Sequence, residues 1–117
     1  MQKAQFERIV DEALEELPEK VLDALDNLHV VVEEWPTPEQ DSDDTGLLGL
    51  YEGVSLLERG VDYSGFLPDR IIVFMGPHLE LGLSRQELKE EIRRTVLHEV
   101  AHHLGIDDRR LHDLGWD

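Results

Sequence analysis

There is no cysteine in the 117 residues of this protein. A disulfide framework, a thiolate zinc site and a thiol nucleophile are excluded together. Basic residues are scarce: 11 Lys and Arg stand against 27 Asp and Glu, a formal charge of −16. Such a surface repels phosphate backbones and anionic lipid, so no nucleic-acid or membrane partner is expected. Long apolar runs are missing too. The longest are Val30-Val31-Val32 and Ile71-Ile72-Val73-Phe74-Met75, against the ~20 residues a membrane span requires. The opening residues, Met1-Gln2-Lys3-Ala4-Gln5-Phe6-Glu7-Arg8, hold no secretory apolar stretch, and the N-terminal region as a whole is too acidic for a transit peptide. A soluble, cytoplasmic protein is the expectation.

High charge can also mean disorder, but 40% of the residues are hydrophobic and they fall in patterned runs. The length fits a single domain over 1–117 with one modest core. Phe6, Ile9, Val10, Ala13, Leu14 and Leu17 recur at helical spacing and predict a helix over 3–17. Pro18 is placed to open a second helix through Leu25. His29 to Trp35 reads as a β-branched strand, and 36–46, with two prolines and three aspartates, as a solvated loop. That loop lacks the alternating ligands, central glycine and closing glutamate of a calcium-binding EF-hand. A glycine-flanked strand is expected over 47–53, and a mixed, turn-rich stretch over 54–69. Arg70 to Met75 is apolar enough to be a central strand, stopped by Gly76-Pro77. Ser84-Arg85-Gln86-Glu87 spells a capping box, launching a helix that runs to Leu104 and stops at Gly105. Residues 106–117 complete the chain as a tail. The order of elements implies an α+β fold with helices covering one face of a small sheet.

The chemistry concentrates near the end of that last helix. His98-Glu99-Val100-Ala101-His102 has the spacing HExxH. At about 100° per residue, the two imidazoles lie only ~40° apart, one turn along the axis, where they can share one zinc ion. Glu99 lies ~100° round from His98, too far to be a natural third ligand but able to reach a water on the metal as a general base. Gly105 permits the positive-φ turn that folds the chain back. Asp108 follows three residues later and fits the third-ligand slot, with Asp107 and His112 as competitors. Glu91, Thr95, His98 and His102 share one polar arc opposite Val96, Val100 and Leu104, as a cleft-lining helix should.

The extended pattern, HExxHxxGxxD, resembles that of the zincin metallopeptidases. A wider stretch is similar to a small bacterial family of zincin-like metallopeptidases, the minimal zincins. Its residues are Leu47-Leu48-Gly49-Leu50-Tyr51-Glu52-Gly53, Leu67-Pro68-Asp69-Arg70-Ile71-Ile72-Val73-Phe74, Gly76-Pro77, and Arg93 through Asp108. With the N-terminal helix, the resemblance covers essentially the whole chain. It implies a small mixed β-sheet packed against N-terminal helices and a long HExxH helix. It also implies zinc held by His98, His102 and Asp108, with Glu99 as catalytic base in peptide hydrolysis. One departure is plain: no methionine follows Asp108, so the methionine-containing turn of larger zincins is missing. An anionic third ligand should also leave a bound water less acidified than three histidines would, and turnover modest.

The neighbouring residues carry competing readings. His103 leaves the helix toward the core and reads as a hydrogen-bonded core histidine, and His29 and His78 as structural. His112 is either a surface residue or a near-site group. Asp107 and Asp113 are candidates to back a ligand imidazole, or ordinary surface acids. Arg94 could contact a substrate carboxylate, or pair with Glu90. The Tyr51 hydroxyl is a candidate oxyanion donor. An exposed edge strand at 47–52 would align a peptide or protein substrate by β-addition. The rival class is a non-enzymatic, zincin-shaped interaction module, with or without structural zinc, whose −16 charge suits a basic protein partner. A third is a metal-dependent hydrolase of non-peptide amides.

Overall fold

A computed structural model describes residues 1–25, 28–53 and 69–114. Among them five helices and three strands form an α+β arrangement, two helices before the strands and three after. Helices α1 (Lys3–Glu15) and α2 (Glu19–Leu25) precede β1 (His29–Glu33), β2 (Gly49–Glu52) and β3 (Arg70–Phe74). Helices α3 (Met75–Glu80), α4 (Arg85–Leu104) and α5 (Asp108–Asp113) follow. The turn-rich stretch expected at 54–68 lies outside the described residues, as do 115–117. No helix among the described residues is long and apolar enough to cross a membrane.

Several expected boundaries move, for local reasons. Helix α1 stops at Glu15 because Leu17 precedes a proline, which disfavours the helical region for it. Leu17 still points into the core. Strand β1 ends at Glu33, and β2 begins only at Gly49, although the Leu48 carbonyl already accepts from the Phe74 N–H at 3.0 Å. Gly76-Pro77 does not simply stop β3. The strand turns directly into α3, with both residues in its first turn, where a missing proline N–H costs nothing. The Gly76 N–H donates to the Glu34 carbonyl at 2.7 Å, tying the end of β1 to the start of α3. The expected tail also contains a helix, α5, capped by Asp107.

The sheet is mixed and ordered β1-β3-β2. Strand β3 pairs in parallel with β1 (His29 opposite Arg70) and antiparallel with β2 (Gly49 opposite Val73). Because side chains alternate along a strand, Ile71 and Val73 face one side with Val30 and Val32. There they meet Phe6, Ile9 and Val10 of α1 and Ile92, Val96 and Val100 of α4 in the main core. Ile72 and Phe74 face the other side and are also buried, so β3 is covered on both faces, as its unbroken apolar run requires.

Helix α4 lies across β2 and β3, with α1 and α2 packed on it. The approach to β2 is close because position 49 has no side chain. A Cβ there would overlap Thr95 Cγ2 and sit 3.5 Å from Glu99 Cγ. Thr95 cannot easily give way, since its branched side chain donates to the Glu91 carbonyl at 3.0 Å. Gly49→Ala should therefore destabilise the fold by roughly 1–3 kcal/mol in denaturant titration, through overpacking.

Between α3 and α4, His78 is fully buried. Its Nδ1 lies 2.8 Å from the Phe74 carbonyl and its Nε2 3.1 Å from the Thr95 hydroxyl. Burial holds its pKa below the ordinary histidine value, against weaker opposite effects from the Phe74 carbonyl and Glu91. The unfolded chain then takes up a proton that the folded ring refuses. Stability from neutral His78 is complete above the unfolded pKa and drains away as pH falls below it, toward the folded value. Denaturant midpoints should thus fall between about pH 7.5 and 5.5, and His78→Phe should make that slope shallower whatever it does to absolute stability.

Candidate functional site

The helix that carries the histidines is framed at both ends. At its start the Ser84 hydroxyl accepts from the Glu87 N–H at 3.2 Å, and the Glu87 carboxylate accepts from the Ser84 N–H at 3.0 Å. At its end Gly105 adopts φ 73°, the left-handed conformation a glycine tolerates. The Ile106 N–H reaches back to the Ala101 carbonyl at 2.8 Å and the Gly105 N–H to the His102 carbonyl at 3.1 Å. Asp107 then caps α5, its carboxylate accepting from the Arg110 N–H at 2.8 Å. This sequence of turns brings Asp108 back beside α4, with its Oδ1 3.8 Å from His98 Nδ1.

A cleft of about 460 Å³ opens here. Helix α4 forms one wall with Glu91, Arg94, Thr95, His98, Glu99 and His102, and Asp108 completes it. Residues 45–49 form the other. That second wall is organised by Asp41, which the composition of its loop had suggested was a solvated acid. Its carboxylate accepts from the Thr45, Gly46 and Leu47 N–H groups at 3.0, 3.1 and 3.1 Å, and from the Thr45 hydroxyl at 2.8 Å. These hydrogen bonds favour the charged form and hold the Asp41 pKa below the usual carboxylate value.

His98 and His102 both face the cleft, with side chains 37% and 56% exposed, while Glu99 is nearly buried at 11%. Glu99 Oε1 accepts from the Tyr51 N–H at 2.7 Å and lies 3.4 Å from His102 Nδ1. Two imidazoles and a carboxylate on one cleft are donor types that suit zinc. As the side chains stand, no three His, Asp or Glu among the described residues converge as a metal-holding group. The Asp108 side chain is 90% exposed and has room to swing.

Other expected residues are placed differently. The Tyr51 hydroxyl is not offered to the cleft as an oxyanion donor. It donates to Asp69 Oδ2 at 2.9 Å in the protein interior, and what β2 presents to Glu99 is a backbone N–H. Asp107 is occupied by its capping bond and does not line the cleft, unlike Asp108. His112 and Asp113 are exposed on α5 and outside the cleft lining. Arg94 does line it, but its ion-pair partner is Glu91, at 2.8 Å, rather than Glu90. Three residues apart is as good a helical spacing as four, so the spacing alone could not choose. His103 is buried as expected, with Nδ1 3.3 Å from Asp69 Oδ2. His29 is exposed at the start of β1.

Asp69 was not among the residues expected at the site. The available signal was an acid immediately before the most apolar strand, where an unpaired carboxylate would be costly.

The sequence matches the zincin-like metallopeptidase family model over residues 25–116. A solved structure, a conserved hypothetical protein from Thermus thermophilus, is similar at 28% identity with a TM-score of 0.59. The similarity covers 99% of this chain and 100% of that one. No match was found among curated proteins. With the motif, the mixed sheet and the long helix in place, the chain belongs to the zincin-like metallopeptidase family.

Proposed function

We propose that the protein is a zinc-dependent peptidase of the cytoplasm, with His98, His102 and Asp108 as metal ligands and Glu99 as general base. The observation that carries this reading is that both HExxH histidines, the glutamate between them, and an aspartate returned by the Gly105 turn line one cleft. Zinc, when bound, supplies Lewis-acid polarisation of a water and of the scissile carbonyl. The protein supplies the rest. Two imidazoles on a rigid helix set the ligand spacing, and the exposed Asp108 carboxylate would close the set. Glu99 accepts the proton of the attacking water and delivers it to the leaving amine.

Substrate alignment is supported by the topology. Strand β2 pairs on one side with β3, leaving its other side as an edge among the described residues. An extended peptide can add to such an edge. Glu99 already occupies the Tyr51 N–H, so an added strand would pair upstream of it, beside the wall at 45–49.

Glu99→Gln should keep stoichiometric zinc while peptide hydrolysis falls by roughly 100-fold or more, read by metal analysis and a peptide-library assay. Retained hydrolysis would defeat the base assignment. Metal without cleavage in the wild-type protein would favour the interaction module instead. Asp108→Ala should weaken zinc binding far more than Asp107→Ala, measured by competition with a chelating dye. The reverse order would move the third ligand.

A further inference from the structure

Two pairs of side chains run side by side along α4, each spaced by four residues. His98 and His102 face the cleft. Glu99 and His103, ~100° further round, face β2. Tyr51 spans this second pair. Its N–H donates to Glu99 Oε1 at 2.7 Å, and its hydroxyl donates to Asp69 Oδ2 at 2.9 Å. His103 Nδ1 lies 3.3 Å from the same Asp69 oxygen and 3.4 Å from the Tyr51 hydroxyl, with the two rings edge to face at 5.5 Å. The Asp69 and His103 side chains are 0% and 4% exposed.

We infer that Tyr51, Asp69 and His103 form a buried anchor that positions the Glu99 carboxylate, an inference that rests on Glu99 acting as the base. A glutamate side chain has several free rotors, and a general base must be held within hydrogen-bonding reach of its water. The Tyr51 N–H fixes one carboxylate oxygen. That N–H belongs to a four-residue edge strand, and such strands open easily when held by one ladder alone. The anchor supplies the second attachment. The start of β3 (through Asp69) and the last turn of α4 (through His103) grip the Tyr51 hydroxyl and press the backbone of β2 against Glu99. Gly49, two residues upstream, lets the strand come that close. None of the three touches substrate in this scheme; they are positioning residues.

The test is Tyr51→Phe in the full-length protein, which keeps the ring and the N–H and removes only the hydroxyl. Hydrogen exchange at the residue-51 amide should accelerate about tenfold or more while the amides of Ile92 and Val96 keep their rates. Its amide proton, drawn downfield by a carboxylate acceptor, should move upfield toward its position in Glu99→Ala. Zinc content should stay unchanged, and kcat should fall about tenfold with KM within about twofold. Asp69→Asn should repeat the pattern; if that variant does not fold, Tyr51→Phe decides alone. An unchanged rate and shift at amide 51 would overturn the inference, as would acceleration in step with Ile92 and Val96. Faster exchange with undiminished kcat would reduce the anchor to a structural role and also overturn it. A wild-type protein that cleaves nothing would sink the peptidase reading, and the exchange and shift would still decide whether the anchor holds Glu99.

Discussion

A helix releases its side chains at about 100° intervals, and α4 uses three of the resulting directions at once. One direction carries Ile92, Val96 and Val100 into the core. A second carries His98 and His102 into the cleft, and a third carries Glu99 and His103 toward β2. None of these can be rotated without displacing the other two. The core packing of α4 therefore sets the angle at which the imidazoles enter the cleft, and its contact with β2 sets where the glutamate lies. Rigid support of this kind is what a metal or catalytic constellation needs, because small displacements are costly to it.

The opposite wall solves a different problem. Residues 45–47, ahead of the strand, have no regular structure and no ladder to rely on. Asp41 substitutes for one by collecting three consecutive backbone N–H groups on a single carboxylate. Part of the −16 charge is thus internal scaffolding rather than solvated surface. Further acid is spent between helices, where Arg85 pairs with Glu12 and Lys89 with Glu16 across α1 and α4. These pairs are partly exposed, and each contributes little to stability.

Much of this was legible beforehand because it rests on local rules. The capping box at Ser84, the stop at Gly105 and the central place of β3 all follow from short-range chemistry that the residues state directly. The same holds for the burial of His103 and for the arc that lines the cleft. Helices α3 and α5 escaped because six residues offer too little periodicity to register, and because Gly76-Pro77 signals a strand's end as strongly as a helix's first turn. The orientation of Tyr51 escaped for another reason. Its hydroxyl partner, Asp69, lies on a neighbouring strand's approach, and its N–H partner, Glu99, on a distant helix. Nothing in the spacing along one strand reports on either. Asp41 was hidden similarly: an acid among acids shows its role only when the turn that encloses it is known.

The order β1-β3-β2 also has a consequence for how the molecule assembles. Among the described residues the central strand is the last of three in chain order, so β1 and β2 do not pair with each other and both wait for it. Strand β1 must find a partner about forty residues downstream, a separation that makes loop closure slow relative to helix formation. Helix α4, which closes the core over that sheet, is later still. During synthesis the apolar faces of α1 and β1 therefore remain without their final cover until β3 and α4 have emerged. An acidic chain that repels its own copies is well suited to that interval, because it is then that sticking to a neighbour would compete with folding.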